Sequence, residues 1–273
     1  MLRKLSVVLA LCLVLAVSCS ACASVRVGAL SKLNVDDSEF GIFQRSTMWT
    51  NLSRHSGDDV IVFYDTIMSM LMSLGAGDID EVDLPGIVGA YVLNSRPDYK
   101  ISCVVRTKPE YLAFGFLKDK NESLRDKFNE ALKAIKDDGT LSALTARYMK
   151  VDGLPESVEF ERFPAADTIR VAVTGDLPPI DYVGTDGKAA GFNTALLAEI
   201  AKRLKVNIKL VYVNSGSRTA ALTSGRADVV FWYQLTEGNA KQYDVPDSVI
   251  VSDAYYDWNT FTHISQKTLY RDE

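Results

Sequence analysis

The sequence has little of what marks the common catalytic and nucleic-acid-binding classes. It contains only two histidines in 273 residues, His55 and His263, and neither lies in a Ser-His-Asp or metal-ligand motif. The glycines at Gly75 and Gly77 are too closely spaced for a phosphate-binding loop and end a helical pattern. The 30 basic residues form no run and are outnumbered by 35 acidic ones, which excludes the basic surface of a nucleic-acid-binding protein.

Cysteine is scarce and concentrated at the amino terminus. Three of the four cysteines fall in the first 22 residues, and Cys103 is the single cysteine of the remaining chain. An internal disulfide in that part of the chain is therefore excluded. Cys103 lies in an apolar, strand-like run, which predicts a buried and inert thiol.

The first residues have the pattern of a secretory signal peptide, expected over 1–23. A basic start precedes the apolar stretch 5–17, which is shorter than the about 20 residues that a membrane-spanning helix needs. Cleavage after Ala23 is one alternative. The other is cleavage before Cys19 or Cys22, which would leave a lipid-modified cysteine. Both predict an exported protein, periplasmic or lipid-anchored at the outer face of the membrane, with no other membrane contact.

The rest of the chain alternates strand-like and helix-like segments, which predicts βαβ units and a largely parallel sheet. One unit is predicted to occur twice. Arg26 to Leu30 corresponds to Arg170 to Thr174, and Leu74 to Asp80 corresponds to Leu222 to Asp228. Two matches in the same order, at similar separations, indicate an internal repeat.

Polar residues suggest where one helix of the second repeat begins. Asn193 or Thr194 is expected to cap it, because both residue types accept hydrogen bonds from exposed helical N–H groups. Leu196, Leu197 and Ile200 follow at helical spacing. A buried amphipathic helix is therefore predicted after the D-G-K turn at 186–188.

Segments of both halves resemble a known family. Ile169 to Tyr182 forms a strand and a proline-containing loop, 186–193 has a D-G-K turn followed by G-F-N, and 224–228 has the pattern S-G-x-x-D. These segments resemble the start of the bacterial extracellular solute-binding proteins, family 3, in their amino-acid-binding branch. Phe114 to Lys118 and Asp138 to Leu141 resemble the carboxyl-terminal portion of that family.

The resemblance implies an α/β fold with two Rossmann-like lobes joined by two hinge strands, the type 2 periplasmic-binding-protein fold. The order of the segments differs from the family and indicates a circular permutation. In this interpretation 25–108 is lobe two, and 109–150 is the return hinge strand with closing helices that pack on lobe one. The linker is 151–167, and 168–264 is lobe one with the outward hinge strand. Two incomplete modules in tandem are the alternative.

Ligands of such folds bind beyond the carboxyl ends of the strands, where helix amino termini favour anionic groups. Arg218 is the candidate for pairing with a ligand carboxylate, because its planar fork can contact both oxygens. Trp232 or Tyr233 is expected to line the cleft. The full set of candidate ligand-binding residues is Thr174, Asp176, Pro178, Asp181, Tyr182, Ser215, Arg218, Trp232, Tyr233 and Gln234 in lobe one, with Ser31, Lys32, Asn34 and Asp83 in lobe two.

Two departures from the family bear on the ligand. Amino-acid binders carry an arginine shortly after the T-x-x stretch, where this sequence has Asn239. They also carry an aspartate at the position of Pro85, for which Asp83 is a shifted substitute. An ordinary α-amino acid is therefore in question, and the identity of the ligand is left open.

The expected function is that of an exported solute-binding protein. It would capture a small polar or amino-acid-like molecule between its lobes and deliver it to the permease of an ABC importer, without catalysis, cofactor or nucleic acid. One alternative is a dehydratase-like periplasmic enzyme of the same fold, using carboxylates such as Glu81 and Asp83. Another is a ligand-sensing module.

Overall fold

The computed structural model describes residues 25–30, 60–150, 157–236 and 245–267. The predicted signal peptide and the candidates Ser31, Lys32 and Asn34 lie outside these ranges. The described helices are α1 (Ile67–Ala76), α2 (Gly86–Ser95), α3 (Glu122–Asp137), α4 (Thr140–Tyr148), α5 (Phe192–Leu204) and α6 (Arg218–Thr223). The strands are β1 (Arg26–Leu30), β2 (Val60–Tyr64), β3 (Glu81–Pro85), β4 (Tyr99–Leu117), β5 (Thr168–Val173), β6 (Asp176–Leu177), β7 (Asp181–Val183), β8 (Ala189–Ala190), β9 (Asn207–Tyr212), β10 (Val229–Thr236), β11 (Val249–Val251) and β12 (Tyr256–Gln266).

The strands form two parallel sets whose carboxyl ends face each other. β1 lies between β2 and β3, parallel to both, and β5 lies between β9 and β10 in the same way. β12 is antiparallel to β3 and to β4, and β4 is antiparallel to β10. β4 therefore runs with β3 and against β10, so the two sets point in opposite directions. The order of the nine-stranded sheet is β2-β1-β3-β12-β4-β10-β5-β9, with β11 beside β4.

Two long strands connect the sets. The first half of β4 pairs with the second half of β12, as at Val105 and Phe261, while its second half pairs with β10, as at Leu112 and Gln234. We call β1–β3 with α1 and α2 lobe two, and β5, β9 and β10 with α3–α6 lobe one. This arrangement confirms the predicted α/β fold with two Rossmann-like lobes and two hinge strands.

An arginine near the start of a strand binds an aspartate and a glycine carbonyl in both lobes, and we call this arrangement the clamp. It supports the predicted internal repeat. In lobe one the arginine lies on β5. The backbone N–H and the Nε of Arg170 donate to Asp228 Oδ2, each at 2.9 Å, and Arg170 Nη1 donates to the carbonyl of Gly225 at 2.5 Å. Gly225 has a φ of 70°, a left-handed conformation that glycine adopts without strain. The S-G-x-x-D pattern thus encodes a helix end followed by an anchor for the first strand.

The lobe-two copy makes the same contacts. Arg26 donates to Asp80 Oδ2 from its backbone N–H at 2.8 Å and from Nε at 3.3 Å, and Arg26 Nη2 donates to Gly77 O at 2.9 Å. Gly77 has a φ of 80°. The strand arginine and the clamp aspartate are 54 residues apart here and 58 apart in lobe one. Equivalent positions in the two lobes can therefore be found by counting from Asp80 and Asp228, the clamp aspartates.

The core of lobe one is built around an aromatic side chain of β4. The ring centroid of Phe114 lies 5.4 Å from that of Phe128 on α3, 6.2 Å from Phe231 on β10 and 4.8 Å from Tyr255 before β12. All four rings are buried. A hinge strand, a closing helix and the lobe-one sheet therefore share one hydrophobic cluster.

Two local predictions are wrong. Helix α5 begins at Phe192 with Gly191 as its N-cap, so that Asn193 and Thr194 lie inside the first turn and are buried. Gly191 has a φ of 102°, and a Cβ there would lie 2.5 Å from the carbonyl oxygen of Ile180, so glycine replaces the expected polar cap. Cys103 is half-buried rather than buried.

Close packing of Tyr233 on β4 leads to a testable prediction. A Cβ at Gly115 would lie 2.2 Å from the Tyr233 ring, whereas a Cβ at Gly75 would have the Tyr99 hydroxyl as its nearest neighbour at 3.5 Å. Gly115→Ala is expected to lower the free energy of unfolding by about 1–3 kcal/mol, because the ring must move. Gly75→Ala, in α1, should raise it by up to about 1 kcal/mol. Denaturant titration checks both values, and equal effects would contradict the packing.

Candidate functional site

The facing strand ends define the place where a ligand can contact both lobes. β3 ends at Pro85, opposite Phe261 of β12, and β10 ends at Thr236, opposite Glu110 of β4. The parts of the hinge strands between these pairs, 106–110 of β4 and 258–260 of β12, span the gap. Ligands in open α/β sheets bind beyond the carboxyl ends of the strands, which here is the gap between the lobes.

A buried hydrogen-bonded group joins three strands at this level. Glu110 Oε2 on β4 accepts a hydrogen bond from Gln234 Nε2 on β10 and another from Trp258 Nε1 on β12, the latter at 3.1 Å. Each of these side chains is at most 8% exposed. The carboxylate therefore fixes the orientation of the Gln234 amide at the hinge.

Arg218 is held against two aromatic rings at the start of α6. Its Nη1 donates to the carbonyl of Trp232 at 2.8 Å, and its guanidinium carbon lies 5.3 Å from the Trp232 ring centroid and 5.2 Å from that of Tyr233. Both rings and the arginine are buried. The register of β10 against β4 shifts between Val230 and Tyr233, so two consecutive residues contact the same guanidinium.

Asp181 holds the first loop of lobe one together. Its Oδ2 accepts hydrogen bonds from the backbone N–H and the hydroxyl of Thr174, each at 3.2 Å, and from the backbone N–H of Gly175 at 3.1 Å. The Asp181 side chain is buried. This carboxylate fixes the loop that follows β5, and the hydroxyl of Thr174 is part of the same network.

The remaining loop candidates form a small hairpin. Asp176 pairs with Tyr182 across β6 and β7, and the Pro178-Pro179 peptide in the turn is cis. Burial raises the pKa of Tyr182 to about 12, with smaller contributions from Tyr91 and Tyr148. Ser215 opens the 3-10 turn Ser215–Ser217 before α6, and its side chain is outside the described part.

Asp83 lies inside lobe two, in contact with a histidine that the sequence interpretation left without a role. His263 Nδ1 lies 3.1 Å from Glu81 Oε2, and His263 Nε2 lies 3.6 Å from Asp83 Oδ1. None of the three side chains is more than 3% exposed. Burial alone would lower the pKa of His263, but the hydrogen bond to Glu81 and the charges of Asp83 and Glu81 outweigh it and raise that pKa.

A groove runs along β12 beside the hinge. It encloses about 500 Å³ between α2 and the hinge strand. It is lined by Gly86, Ile87, Ala90, Leu93, Ile101, Tyr256, Asp257, Trp258, Asn259, Thr260 and Thr262. The predicted ligand-binding residues are not part of this lining. The groove adds Trp258 and the polar side chains of Asp257, Asn259, Thr260 and Thr262 to the candidate site.

The predicted residues lie in separate groups in the structure rather than around one common point. Arg218 contacts Trp232 and Tyr233, Thr174 contacts Asp181, and Gln234 joins the hinge. The sequence interpretation missed Glu110, Trp258 and His263, which lie on hinge strands that contain many polar residues. Their residue types therefore gave no signal that set them apart.

Within 25–30, 60–150, 157–236 and 245–267, His, Cys, Asp and Glu side chains form no group of three that could hold a metal ion. None of the helices in those ranges is both long and apolar enough to cross a membrane.

Several solved structures resemble this fold. The ligand-binding component of an ABC-type import system from Staphylococcus aureus gives a TM-score of 0.47 at 12% identity, covering 90% of this chain and 67% of that one. The aliphatic sulphonate binding protein SsuA from Escherichia coli gives 0.42 at 11% identity, covering 90% and 65%. With TM-scores below 0.5, neither likeness extends the assignment.

Sequence comparisons identify part of lobe one. The L-cystine-binding protein TcyJ of Escherichia coli (strain K12) is 26% identical over 115 residues, which is 42% of this chain and 43% of that protein. The match thus spans less than half of the relative. A family model matches the chain from β5 to the start of β12. Residues 169–256 match the model of the bacterial extracellular solute-binding proteins, family 3.

Proposed function

We propose that this protein is an exported solute-binding protein that captures a small polar or amino-acid-like molecule between its lobes and delivers it to the permease of an ABC importer. One observation carries the proposal. Two parallel strand sets present their carboxyl ends to each other across two hinge strands, and the family match covers the lobe-one side of that gap. Hinged lobes of this kind can close on a ligand and bury it.

Arg218 and its rings supply the anion-recognising side of the proposed site. The hydrogen bond to the Trp232 carbonyl and the two neighbouring rings hold the guanidinium in place, so little rotamer entropy remains to be lost when a carboxylate binds. The L-cystine-binding protein TcyJ is similar over 115 residues. L-cystine and other carboxylate-bearing amino-acid derivatives are therefore the first ligands to test.

The proposed ligand need not be an ordinary α-amino acid. Pro85 stands where the resembled family has an acidic residue, and Asp83 is enclosed within lobe two beside His263. Instead, Glu110 and Gln234 provide polar groups at the hinge. The ligand's polar groups would then be recognised by Arg218 from lobe one and by the hinge, rather than by an acidic residue of lobe two.

The contacts of Glu81 and Asp83 favour binding over catalysis. Both carboxylates are only 3% exposed and lie beside the His263 ring. A catalytic carboxylate must come within hydrogen-bonding reach of its substrate. The dehydratase-like alternative, which relied on these two residues, therefore receives no support from their position.

We also propose that the chain is a circular permutation of the family, with the boundaries given by its sequence. The family segment begins at Ile169, after helices α3 and α4 and after lobe two, and β12 at the end of the described chain returns to lobe two. Each half thus supplies a hinge strand that the other lacks. The amino-terminal signal pattern supports export, by ordinary cleavage or as a lipid-anchored protein.

A thermal-shift screen of the chain from Ser24 tests the function. The panel consists of L-cystine, amino acids, their derivatives, small aromatic acids and short peptides. A ligand at a hundred times its dissociation constant should add about 2.7 kcal/mol to the free energy of unfolding, seen as a higher midpoint. A panel without any effect would count against an amino-acid-like ligand.

Matched variants locate the site. Arg218→Ala and Trp232→Ala are expected to abolish the ligand-induced shift, measured from each variant's own midpoint. Arg226→Ala is the control, because Arg226 is an exposed arginine of the same segment. An undiminished shift in Arg218→Ala would place the ligand elsewhere.

A further inference from the structure

Lobe two has charged side chains at two positions where lobe one has apolar side chains. Counted from the clamp aspartate of each repeat, Glu81 and Asp83 occupy the positions of Val229 and Phe231. All four side chains are at most 3% exposed. The same backbone framework is thus filled by an aliphatic and an aromatic side chain in one lobe and by two carboxylates in the other.

The hinge strands show the same contrast. In lobe one, Phe231 packs against Phe114 of β4, with ring centroids 6.2 Å apart. In lobe two, Asp83 pairs in register with His263 of β12. Because lobe one shows that this framework accepts apolar residues, ion burial is not a requirement of the fold. Because a buried ion pair is weak evidence for stability, a need for stability does not explain why this cluster is ionic.

The surroundings of His263 favour a cationic imidazole. β3 brings Glu81 to Nδ1 at 3.1 Å and Asp83 to Nε2 at 3.6 Å. β4 places Cys103 opposite His263 in register. Helix α2 packs on the other face of the sheet, against Thr262. Two carboxylates of β3 thus lie within 3.6 Å of the ring nitrogens, and a half-buried thiol of β4 lies opposite in register.

We propose that the Glu81–His263–Asp83 cluster is a pH-responsive device that ties β3 to hinge strand β12. With His263 protonated, both carboxylates of β3 are attracted to a hinge strand. When the proton is lost, two carboxylates remain buried around a neutral ring, and lobe two is loosened. An exported protein experiences the pH outside the cell, so the stability of lobe two and the attachment of its hinge would follow that pH.

The direction of the effect follows from proton linkage. The pKa of His263 is raised in the folded protein above its unfolded value of about 6.5. The stabilisation is therefore complete below about pH 6.5 and is lost as the pH rises through the folded pKa. The stability gained from the cluster should fall across the neutral to alkaline range.

Imidazole titration by nuclear magnetic resonance tests this directly. The chain has only two histidines, so a His55→Gln variant of the chain from Ser24, with labelled histidine, leaves His263 as the single signal. We expect His263 to titrate with a midpoint above about 6.5. A midpoint at or below that value would overturn the proposal. This measurement needs no change at the cluster.

Thermal midpoints measured against pH provide a second test. From about pH 5 to about pH 8, the difference in midpoint between the unmodified chain and His263→Gln should be largest at low pH and shrink as the pH rises. The His55→Gln control should follow the unmodified chain. Parallel curves for the unmodified chain and His263→Gln would overturn the proposal, and if His263→Gln does not fold, the titration decides.

Discussion

Phe114→Ala is expected to lower the free energy of unfolding by about 3–5 kcal/mol. The ring is buried and lies at the centre of contacts with Phe128, Phe231 and Tyr255. Its removal leaves a cavity that three different elements would have to move to fill. Equilibrium unfolding in denaturant measures the loss.

Phe63→Ala is the matched control for the same chemical change. Phe63 is 43% exposed on β2, and its loss should change the free energy of unfolding by about 0.5 kcal/mol. Losses of similar size at the two positions would mean that the aromatic cluster does not hold lobe one to its hinge strand.

His263→Leu is expected to destabilise the protein by about 3–5 kcal/mol below pH 6.5, because two buried carboxylates lose the cation between them. A concerted change of Glu81→Met, Asp83→Leu and His263→Phe should recover most of that loss, since apolar groups of similar size can replace a buried ionic cluster. Denaturant unfolding of the three proteins at one pH provides the comparison. A triple variant less stable than His263→Leu would contradict this account of the cluster.

The pattern of the sequence predicted the fold to a large extent because the fold is repeated and locally encoded. Each copy of the clamp needs a glycine with positive φ after a helix and an aspartate three residues later, and both features are visible in the sequence around Gly77 and Gly225. The alternation of apolar runs and helical stripes indicated which segments are strands. The two matches together then indicated a repeated unit, and the family resemblance implied two lobes.

Local features that depend on backbone geometry could not be predicted from the sequence pattern. The N-cap of α5 is Gly191, because a side chain there would collide with the backbone of Ile180, which directly precedes β7. The register shift in β10 places Trp232 and Tyr233 on the same arginine. Neither the collision at Gly191 nor the register shift in β10 could be predicted from the residue types alone.

The candidate site was harder to predict because a polar residue at a strand end can either bind a ligand or hold the protein's own loops and strands together. Asp181 was chosen as a ligand residue for its position, yet its carboxylate holds the Thr174 loop. Glu81 and His263 are 182 residues apart, so a contact between them cannot be inferred from spacing. The contacts that each of these polar residues makes could be assigned only from the three-dimensional structure.

Small-angle X-ray scattering with and without the most stabilising ligand of the panel tests the central claim, that the solute is held between two hinged lobes. The account predicts a smaller radius of gyration in the bound state, because closure about β4 and β12 brings the facing strand ends together. In Arg218→Ala the same ligand concentration should leave the scattering unchanged. A ligand that binds tightly without changing the radius of gyration of the unmodified protein would contradict capture between the lobes.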